Sequence, residues 1–277
     1  LDEDHPNTLA SLNNLATTYY SKGEFDKALQ LFKECLEMSK RVLGPNDPIA
    51  LSSLNSIADI YFSKGEYDHA LPLYEECLVI QQRIFGDEHP DTLASLDSVA
   101  KMLCGKGEYH RALPLYEECL AKRKRVLGDD HPDTLSTLNN LANMFRSKGE
   151  YDRALPLYEE CLAMRTRVLG EDHPDTLTTL NNLALSLDSN SEYDRALPLF
   201  EKCLDKRTRV LGKDHPATLK TLNNLAVLLY SKGEYHNALS MFEECLATRK
   251  RVLGDDHHDT IETSRALDMV RVAIKTR

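Results

Sequence analysis

The chain of 277 residues has no tryptophan, and its aromatic residues make up only 7% of the sequence. Basic residues are also fewer than acidic ones: there are 34 and 44 of them, so the formal net charge is −10. A protein that binds nucleic acid needs a basic surface to neutralise phosphates, so this balance argues against a nucleic-acid partner. Long apolar runs are missing as well, and we therefore expect a soluble protein without membrane insertion.

Motifs that carry catalysis are absent from the sequence. It has no glycine-rich phosphate loop, no nucleophile elbow and no helix with paired histidine ligands. Glu159 and Glu160 stand side by side, but a similar acidic pair recurs in most repeats, which is typical of a solvated helix face. The dense group His257-His258-Asp259 is interpreted as surface. We therefore predict that the protein is not an enzyme and uses no cofactor or metal.

Cysteine follows a fixed spacing. Six of the seven cysteines stand 42 residues apart: Cys35, Cys77, Cys119, Cys161, Cys203 and Cys245. Packed helices lie about 8–10 Å apart, whereas a disulfide needs Cα atoms within about 7 Å. We predict that these six cysteines are buried and reduced, and that the protein is cytoplasmic. Cys104 lies outside the series and is predicted to be a free thiol.

The same period runs through the whole chain. His5, Asp47, His89, His131, His173, His215 and His257 all stand 42 residues apart, and a fixed period of this size predicts a solenoid. We predict one solenoid over 1–277, with repeats at 5–46, 47–88, 89–130, 131–172, 173–214 and 215–256 and a terminal capping helix at 257–277. The chain begins without methionine, inside a linker word of the repeat, and we expect it to be a piece of a longer protein.

Each repeat predicts two helices. In the fourth, Pro132 suits the first helical position, and apolar residues follow at helical spacing. Gly149 is predicted to end this helix in a left-handed conformation, and Asp152 to cap the next one. The histidines before each proline are predicted to be linker and cap residues. The fifth repeat lacks the glycine, so Asn190 or Ser191 must take the left-handed turn.

The repeat words resemble a known family. The pattern Leu12-x2-Leu15-Ala16-x2-Tyr19, followed by Gly23, Ala28 and Phe32, resembles the tetratricopeptide repeat (TPR). The 42-residue form, with "HPDTL", "LNNLA", "KGEY", "LYEECL" and "R-x-R-VLG", resembles the kinesin light chain type, which also occurs in nephrocystin-like proteins and in arrays attached to NB-ARC-type switch proteins. The resemblance implies an all-α, right-handed α-solenoid superhelix of tandem helix-turn-helix repeats. It also implies that the first helices line a concave groove.

Asparagine pairs recur on the first helices, although asparagine is a poor helix former. Four repeats carry a pair, and the second repeat keeps one member: Asn13 and Asn14, Asn55, Asn139 and Asn140, Asn181 and Asn182, and Asn223 and Asn224. An amide offers both a donor and an acceptor. Two interpretations stay open: the pairs hydrogen-bond the backbone of an extended peptide, or they bond the neighbouring helix and hold the repeats together.

Two positions on the same arc of the first helix change in every repeat. They are Thr17/Tyr20, Asp59/Phe62, Lys101/Cys104, Asn143/Arg146, Leu185/Asp188 and Val227/Tyr230. Selective pockets in a peptide-binding groove would produce this variation, and so would neutral drift on an exposed face. Lys101 and Arg146, with Lys220 as a further positive site, predict an acidic residue in the ligand. Tyr20, Phe62 and Tyr230 are predicted to contact apolar or aromatic side chains, and Asn143 belongs to the same predicted surface.

The leading functional hypothesis is a non-enzymatic scaffold that binds an extended peptide or partner segment in the concave groove. Three alternatives stay open: the partner- or ligand-sensing arm of an NB-ARC-type switch protein, a kinesin light chain-like cargo adaptor, and a self-associating structural array. Arg123 lies in a basic stretch near the end of a second helix. Arg123→Ala is therefore expected to have little effect on ligand binding.

Overall fold

A computed structural model describes residues 6–276, so His5, which opens the first predicted repeat, and Arg277 lie outside the described residues. Between residues 6 and 276 there are thirteen α-helices and no strand. Six helix pairs and one final helix follow in order: α1 (Pro6–Ser21), α2 (Phe25–Val42), α3 (Pro48–Ser63), α4 (Tyr67–Phe85), α5 (Pro90–Gly105), α6 (Tyr109–Leu127), α7 (Pro132–Ser147), α8 (Tyr151–Leu169), α9 (Pro174–Ser189), α10 (Tyr193–Leu211), α11 (Pro216–Ser231), α12 (Tyr235–Leu253) and α13 (His258–Lys275).

Histidine caps the first helix of most repeats. His131 Nδ1 accepts a hydrogen bond from the backbone N–H of Asp133 at 3.2 Å. His89, His173, His215 and His257 make the same contact, and Asp47 replaces histidine in the second repeat with its carboxylate on the N–H of Ile49. A side-chain acceptor at this position satisfies one of the unpaired N–H groups of the first turn. The prediction that these histidines are cap residues is confirmed.

The second helices begin without a side-chain cap, so the prediction for Asp152 is wrong. Helix α8 has Glu150 at its N-cap position, and Asp152 lies inside the first turn. The Glu150 carboxylate pairs with Arg153 at 3.0 Å instead of bonding the helix N–H groups. An acidic residue in the first turn still favours the positive end of the helix dipole, so Asp152 acts through its charge.

The turn between the two helices of a repeat needs a left-handed residue. Gly149 has φ 79°, and in the fifth repeat Ser191 has φ 62°, the single positive φ of a non-glycine residue between residues 6 and 276. The N–H of Ser191 donates to the carbonyl oxygen of Asp188 at 2.9 Å. Of the two residues that the sequence proposed for this turn, the structure assigns it to Ser191.

Replacing Ser191 with glycine is expected to raise the free energy of unfolding by about 1 kcal/mol, because a left-handed conformation is strained for a residue that has a Cβ. Urea denaturation of the two proteins measures the difference. Ser189→Gly is the matched control: Ser189 ends α9, where glycine brings no relief and is expected to lower stability by up to about 1 kcal/mol. A Ser191→Gly protein no more stable than the parent would contradict the strain.

The helices form two compact units, residues 1–140 and 141–277, with the boundary inside α7. From α1 to α6 in the first unit and from α8 to α13 in the second, each helix packs on the next one along the chain, as α3 does on α4 and α9 on α10. First helices of successive repeats also touch, as α1 with α3 and α11 with α13. The buried residues between packed helices belong to the repeat words. Leu177, Leu180 and Cys203, for example, form one buried cluster.

The periodic cysteines are completely buried and free, as predicted. Cys203 Sγ donates to the carbonyl oxygen of Leu177 at 3.3 Å, so this cysteine ties the second helix to the first. Burial raises the pKa of these thiols, that of Cys119 to about 11. Cys104 is half-buried and free, and burial raises the pKa of its thiol to about 11 as well. At neutral pH this lowers the thiolate fraction and hence its reactivity.

Helix α13 has a polar surface where an earlier repeat has its packing residues. One period before Ser264, Asp268 and Arg271, the chain has Leu222, Ala226 and Leu229, all buried. In α13 the Arg271 guanidinium instead pairs with Glu243 at 3.0 Å. These polar side chains distinguish α13 from the first helices of the earlier repeats, and its role as a terminal capping helix stays a prediction.

Candidate functional site

The first asparagine of three of the four pairs bonds the next repeat along the chain. Asn13, Asn181 and Asn223 each accept, through Oδ1, a hydrogen bond from a hydroxyl 40 residues later, at 3.4, 3.2 and 3.0 Å; the donors are Ser53, Thr221 and Thr263. Asn181 is only 3% exposed. A hydroxyl bonded across an interface is satisfied without water, so these amides hold successive first helices together. Asn139 is likewise buried, at 7% exposure.

The second asparagine of a pair bonds the side chain at the first-asparagine position of the preceding repeat. Asn224 Nδ2 donates to Asn181 Oδ1 at 3.3 Å. In the third repeat Asp97 replaces the first asparagine, and Asn140 Nδ2 donates to its carboxylate at 2.8 Å. Burial raises the pKa of Asp97, while the nearby Arg123 and the hydrogen bonds from Thr137 and Asn140 oppose that rise. We call this network the asparagine ladder.

The asparagine ladder supports the second of the two interpretations, in which the pairs hold the repeats together. Peptide binding by the same side chains stays a prediction. The remaining members differ in exposure: Asn14 is exposed, and Asn55 and Asn182 are half-buried. Asn55 takes the position of the first asparagine in the second repeat, and its Oδ1 accepts no hydrogen bond.

A buried arginine on each later second helix completes the contact between repeats. Arg207 Nη1 donates to the carbonyl oxygen of Ala217 at 2.9 Å and to Thr221 Oγ1 at 2.8 Å, and its Nη2 to Thr178 Oγ1 at 3.2 Å. The arginines one or more periods away are equally buried and donate in the same way to the next first helix: Arg123, Arg165 and Arg249.

The burial of these arginines was not predicted from the sequence. The sequence indicated only a basic stretch near the end of a second helix, whereas Arg123 is 5% exposed and donates two hydrogen bonds to the next repeat. The small effect of Arg123→Ala on ligand binding stays a prediction. The available signal was the first arginine of "R-x-R-VLG". It recurs at the 42-residue period with the cysteines, as a packing residue does, and stands four residues after the buried cysteine on the same helix face.

In each unit the variable arc positions are partly exposed on the first helices, and we call these positions the first-helix face: Thr17, Tyr20, Asp59, Phe62, Lys101 and Cys104 in the first unit, and Asn143, Arg146, Leu185, Asp188, Val227 and Tyr230 in the second. In the first unit Lys101 is exposed, and its Nζ lies 4.3 Å from the centre of the Phe62 ring. The Asp59 carboxylate accepts a hydrogen bond from Tyr74 of its own repeat. Lys101 and Asp59 thus place opposite charges on neighbouring first helices.

In the second unit the first-helix face contains both polar and apolar residues. Asn143 Oδ1 accepts a hydrogen bond from the Tyr158 hydroxyl at 2.7 Å. Burial raises the pKa of Tyr158 to about 12, and the neighbouring Arg146 opposes that rise. Arg146 is half-buried, and its Nε has no hydrogen-bond partner. Val227 is 37% exposed on α11, so an apolar side chain faces solvent on this surface.

Three aromatic residues of the first-helix face pack on the second helix of their own repeat. The ring centres of Tyr20 and Phe25 are 5.7 Å apart, and the corresponding pairs Phe62–Tyr67 and Tyr230–Tyr235 are 5.6 and 5.4 Å apart. All three face residues stay half-buried. Lys220 is exposed on α11. Lys101 belongs to the first unit and Arg146 to the second, so their predicted convergence on one ligand segment stays a prediction.

Asp188, at the end of α9, is the titratable group of the first-helix face whose pKa falls near neutrality. Burial raises the pKa of its carboxyl to about 6. The folded protein therefore holds this proton more tightly than the unfolded chain, in which an aspartate titrates near about 3.9. The contribution of protonated Asp188 to the free energy of unfolding is therefore complete below about pH 4, and it is lost as the pH rises through about 6.

Asp188→Asn is expected to remove this pH dependence, because asparagine resembles the protonated acid. At pH 8 the variant should be more stable than the parent by about 1–2 kcal/mol, after a discount for partial solvation, and at pH 4 the difference should vanish. Urea denaturation across this pH range measures it. Asp205→Asn, at an exposed position of α10, is the control and should show no such trend. An equal gain at both pH values would contradict a raised pKa.

The start of α13 brings together three groups that could ligate a metal ion. Single ligand atoms of His258, Asp259 and Glu262 lie within 4.8 Å of one another. The buried Arg249 guanidinium lies 3.5 Å from the Asp259 carboxylate, so part of this negative charge is already neutralised by the protein. The prediction that the chain uses no metal stays a prediction.

Known proteins place the chain in a family. Tetratricopeptide repeat families match almost its whole length, over residues 8–49, 49–125, 97–167, 133–207, 179–251 and 218–267. The chain therefore belongs to the tetratricopeptide repeat family, and its fold is an all-α solenoid of tandem repeats. The right-handed sense of the superhelix stays a prediction. Curated proteins gave no match.

Solved structures show the same architecture. The nearly identical TPR-like repeats of a Podosopora anserina protein, named after kinesin light chain, share 27% identity over 74% of this chain and 97% of that chain, with a TM-score of 0.60; a single-substitution variant of those repeats has a TM-score of 0.61. BtubC (BKLC) from P. vanneervenii is 22% identical over 84% of this chain and 93% of its own, with a TM-score of 0.66. A Rap protein complexed with Competence and Sporulation Factor is 12% identical over 96% and 76%, with a TM-score of 0.62.

These findings define the class of protein. The array is kinesin light chain-like, and tetratricopeptide repeats are generally non-enzymatic scaffolds for protein–protein interaction. The described helices include none with the length and apolar character that a membrane span requires.

Proposed function

We propose that the protein is an interaction scaffold whose first-helix face binds an extended segment of a partner protein. One observation carries this proposal: the two arc positions that change in every repeat are partly exposed, whereas the leucines and the alanine of "LNNLA" beside them are buried from the fourth repeat on. In the second unit Leu185 and Val227 are partly exposed at variable positions, while Leu183 and Leu225, two residues earlier, are buried at 5 and 2% exposure. Exposed variation on a rigid scaffold is how a repeat protein acquires specificity.

An acidic residue of the partner is proposed to contact Arg146, and Lys101 supplies a second positive site in the first unit. Arg146 is half-buried, and a charge-assisted hydrogen bond to a partly covered guanidinium is strong. The free cysteines support a reducing compartment such as the cytoplasm.

A peptide library displayed on phage and selected on the purified chain tests the proposal. Selected peptides are then titrated by fluorescence polarisation against the parent and two matched variants. Val227→Glu changes the first-helix face at 37% exposure, and Val210→Glu makes the same change on α10 at 44% exposure. We expect at least about tenfold weaker binding for Val227→Glu and less than about twofold for Val210→Glu, because only the first of them places a charge in the proposed binding surface. The reverse order would show that the first-helix face is not the binding surface.

The acidic preference has a separate test. Replacing the acidic residue of a selected peptide by its amide should weaken binding to the parent about tenfold, as expected for a charge-assisted bond worth roughly 1.5 kcal/mol. It should have little effect on binding to Arg146→Gln, because the partner of that carboxylate is then gone. Equal losses for both proteins would assign the acidic residue to another contact.

A further inference from the structure

The series of buried arginines begins only at the third repeat, with Arg123. Gln81 stands one period before Arg123, at the junction between the second and third repeats. A cavity of about 330 Å³ lies beside it, lined by residues of α3, α4 and α5. We call it the Gln81 cavity. Phe85 lines the same cavity. It stands one period before Leu127, so a phenylalanine here takes the place of the leucine of the next repeat.

The Gln81 cavity lies where the other junctions have a guanidinium group. Arg207 donates to Thr178, Ala217 and Thr221. Three periods earlier the corresponding residues are Ser52, Asp91 and Ser95, and the first two line the cavity. Ser95 Oγ donates to Cys77 Sγ at 3.8 Å, which leaves its lone pairs directed elsewhere. The acceptors of the arginine contact are therefore retained although the arginine is gone.

Two further acceptors at this junction are unsatisfied. Gln81 is only 4% exposed, and its Oε1 has no hydrogen-bond partner; Asn55 Oδ1 has none either. In the next repeat the position of Asn55 is taken by Asp97, whose Oδ1 lies 4.0 Å from the Arg123 guanidinium. Both amide oxygens are covered by protein, and the terminal torsion of Gln81 is soft enough to turn its amide toward a ligand. A buried acceptor left unpaired is costly, so a donor that entered here would gain that energy.

The remaining walls suit a flat cation. Phe85 stacks on His89 with ring centres 4.5 Å apart and offers an aromatic surface to the cavity. The cavity lining, all within the described part of the chain, includes one acid, Asp91, and no base. A planar guanidinium both forks hydrogen bonds to several acceptors and stacks on an aromatic ring, which a compact ammonium does less well.

We propose that the Gln81 cavity binds a guanidinium group, in the form of an arginine side chain from a partner peptide. The ligand takes the place that the chain's own arginines occupy at the later junctions. Ser52, Asn55, Gln81 and Asp91 accept its hydrogen bonds, and Phe85 stacks on it. The site is separate from the first-helix face and goes beyond the proposed function, so either one can fail without the other.

NMR titration of the full chain with the blocked tripeptide acetyl-Ala-Arg-Ala-amide tests the site. We expect saturable binding with a dissociation constant of about 1 mM, the range for one anchored side chain. The tripeptides with citrulline, which is neutral, and with lysine should bind at least about fivefold more weakly. Equal binding of all three would overturn the proposal. Free arginine distinguishes the source: tighter binding of the tripeptide supports a peptide ligand, and equal affinity would assign the guanidinium site to a small molecule instead.

Gln81→Arg supplies the guanidinium from within the chain. It is expected to raise the melting temperature by about 2–4 °C and to weaken tripeptide binding at least about tenfold. Phe85→Leu restores the residue of the later repeats at an exposed position and should weaken binding about threefold without a change in folding. Unchanged affinity in both variants would place the tripeptide elsewhere, and no binding to the parent would leave the cavity a solvent pocket only; either result overturns the proposal.

Discussion

Arg207→Ala is expected to lower the free energy of unfolding by about 3 kcal/mol, because this side chain joins two repeats from a buried position. Arg207 is 4% exposed and donates three hydrogen bonds, two of them to the next repeat. No carboxylate pairs with it in these contacts, and burial lowers the pKa of its guanidinium. Its contribution therefore depends on the neutral acceptors that surround it. In a repeat array a weakened interface also reduces cooperativity, so the unfolding curve should broaden.

Arg209→Ala provides the matched control. Arg209 lies two residues later on α10, its side chain is 61% exposed, and it pairs with Asp172 at 2.8 Å. Exposed ion pairs contribute little, so we expect a change within about 0.5 kcal/mol. Urea denaturation followed by circular dichroism measures both variants. If the two arginines had equal effects, the buried contacts of Arg207 would not be what joins the repeats.

Asn181→Ala is expected to lower the free energy of unfolding by about 2 kcal/mol, because an orphaned polar group costs about 1–3 kcal/mol. Asn181 Oδ1 accepts hydrogen bonds from Thr221 and from Asn224, and the variant leaves the Asn224 amide without this acceptor. Since both donors lie in the following repeat, the loss acts on the contact between repeats. Asn237→Ala is the control, at an exposed position of α12 where the amide donates to Glu234 at 3.1 Å. It should change stability by less than about 0.5 kcal/mol.

The same variant separates the two interpretations of the asparagine pairs. A structural role predicts a loss of stability, and the double variant with Asn224→Ala should lose less than the sum of the two single losses. A peptide-binding role predicts weaker binding at unchanged stability. Additive losses from Asn181→Ala and Asn224→Ala would contradict the asparagine ladder in this part of the chain.

Much of the fold follows from the period of the sequence. In most repeats a proline after the histidine starts a helix, a glycine follows its end, and the 42-residue spacing of cysteine assigns one packing position to each repeat. These are local rules of backbone conformation and burial, so they can be read without knowledge of the partner helices. Even the exception was found in this way, because the repeat that lacks a glycine still needs a left-handed residue, which is Ser191.

The candidate sites depend on contacts between residues about 40 positions apart in the chain, and sequence order does not reveal the direction of a hydrogen bond. The asparagine pair was noticed, but its two interpretations could be compared only when Asn181 was seen to bond Thr221 and Asn224. An arginine in a basic stretch of sequence usually lies on a solvated surface. Arg123 is buried instead, because its long apolar side chain places the guanidinium between the helices.

The sequence by itself determined the repeat length, the two helices of each repeat, the caps of the first helices, the turns and the burial of the cysteines, because these follow from short-range conformation and from the spacing of apolar residues. Only the tertiary structure decided which polar side chains face the next repeat. A hydrogen bond needs distance and direction as well as residue type, so the asparagine ladder, the buried arginines and the cavity beside Gln81 emerge when consecutive helices are packed together.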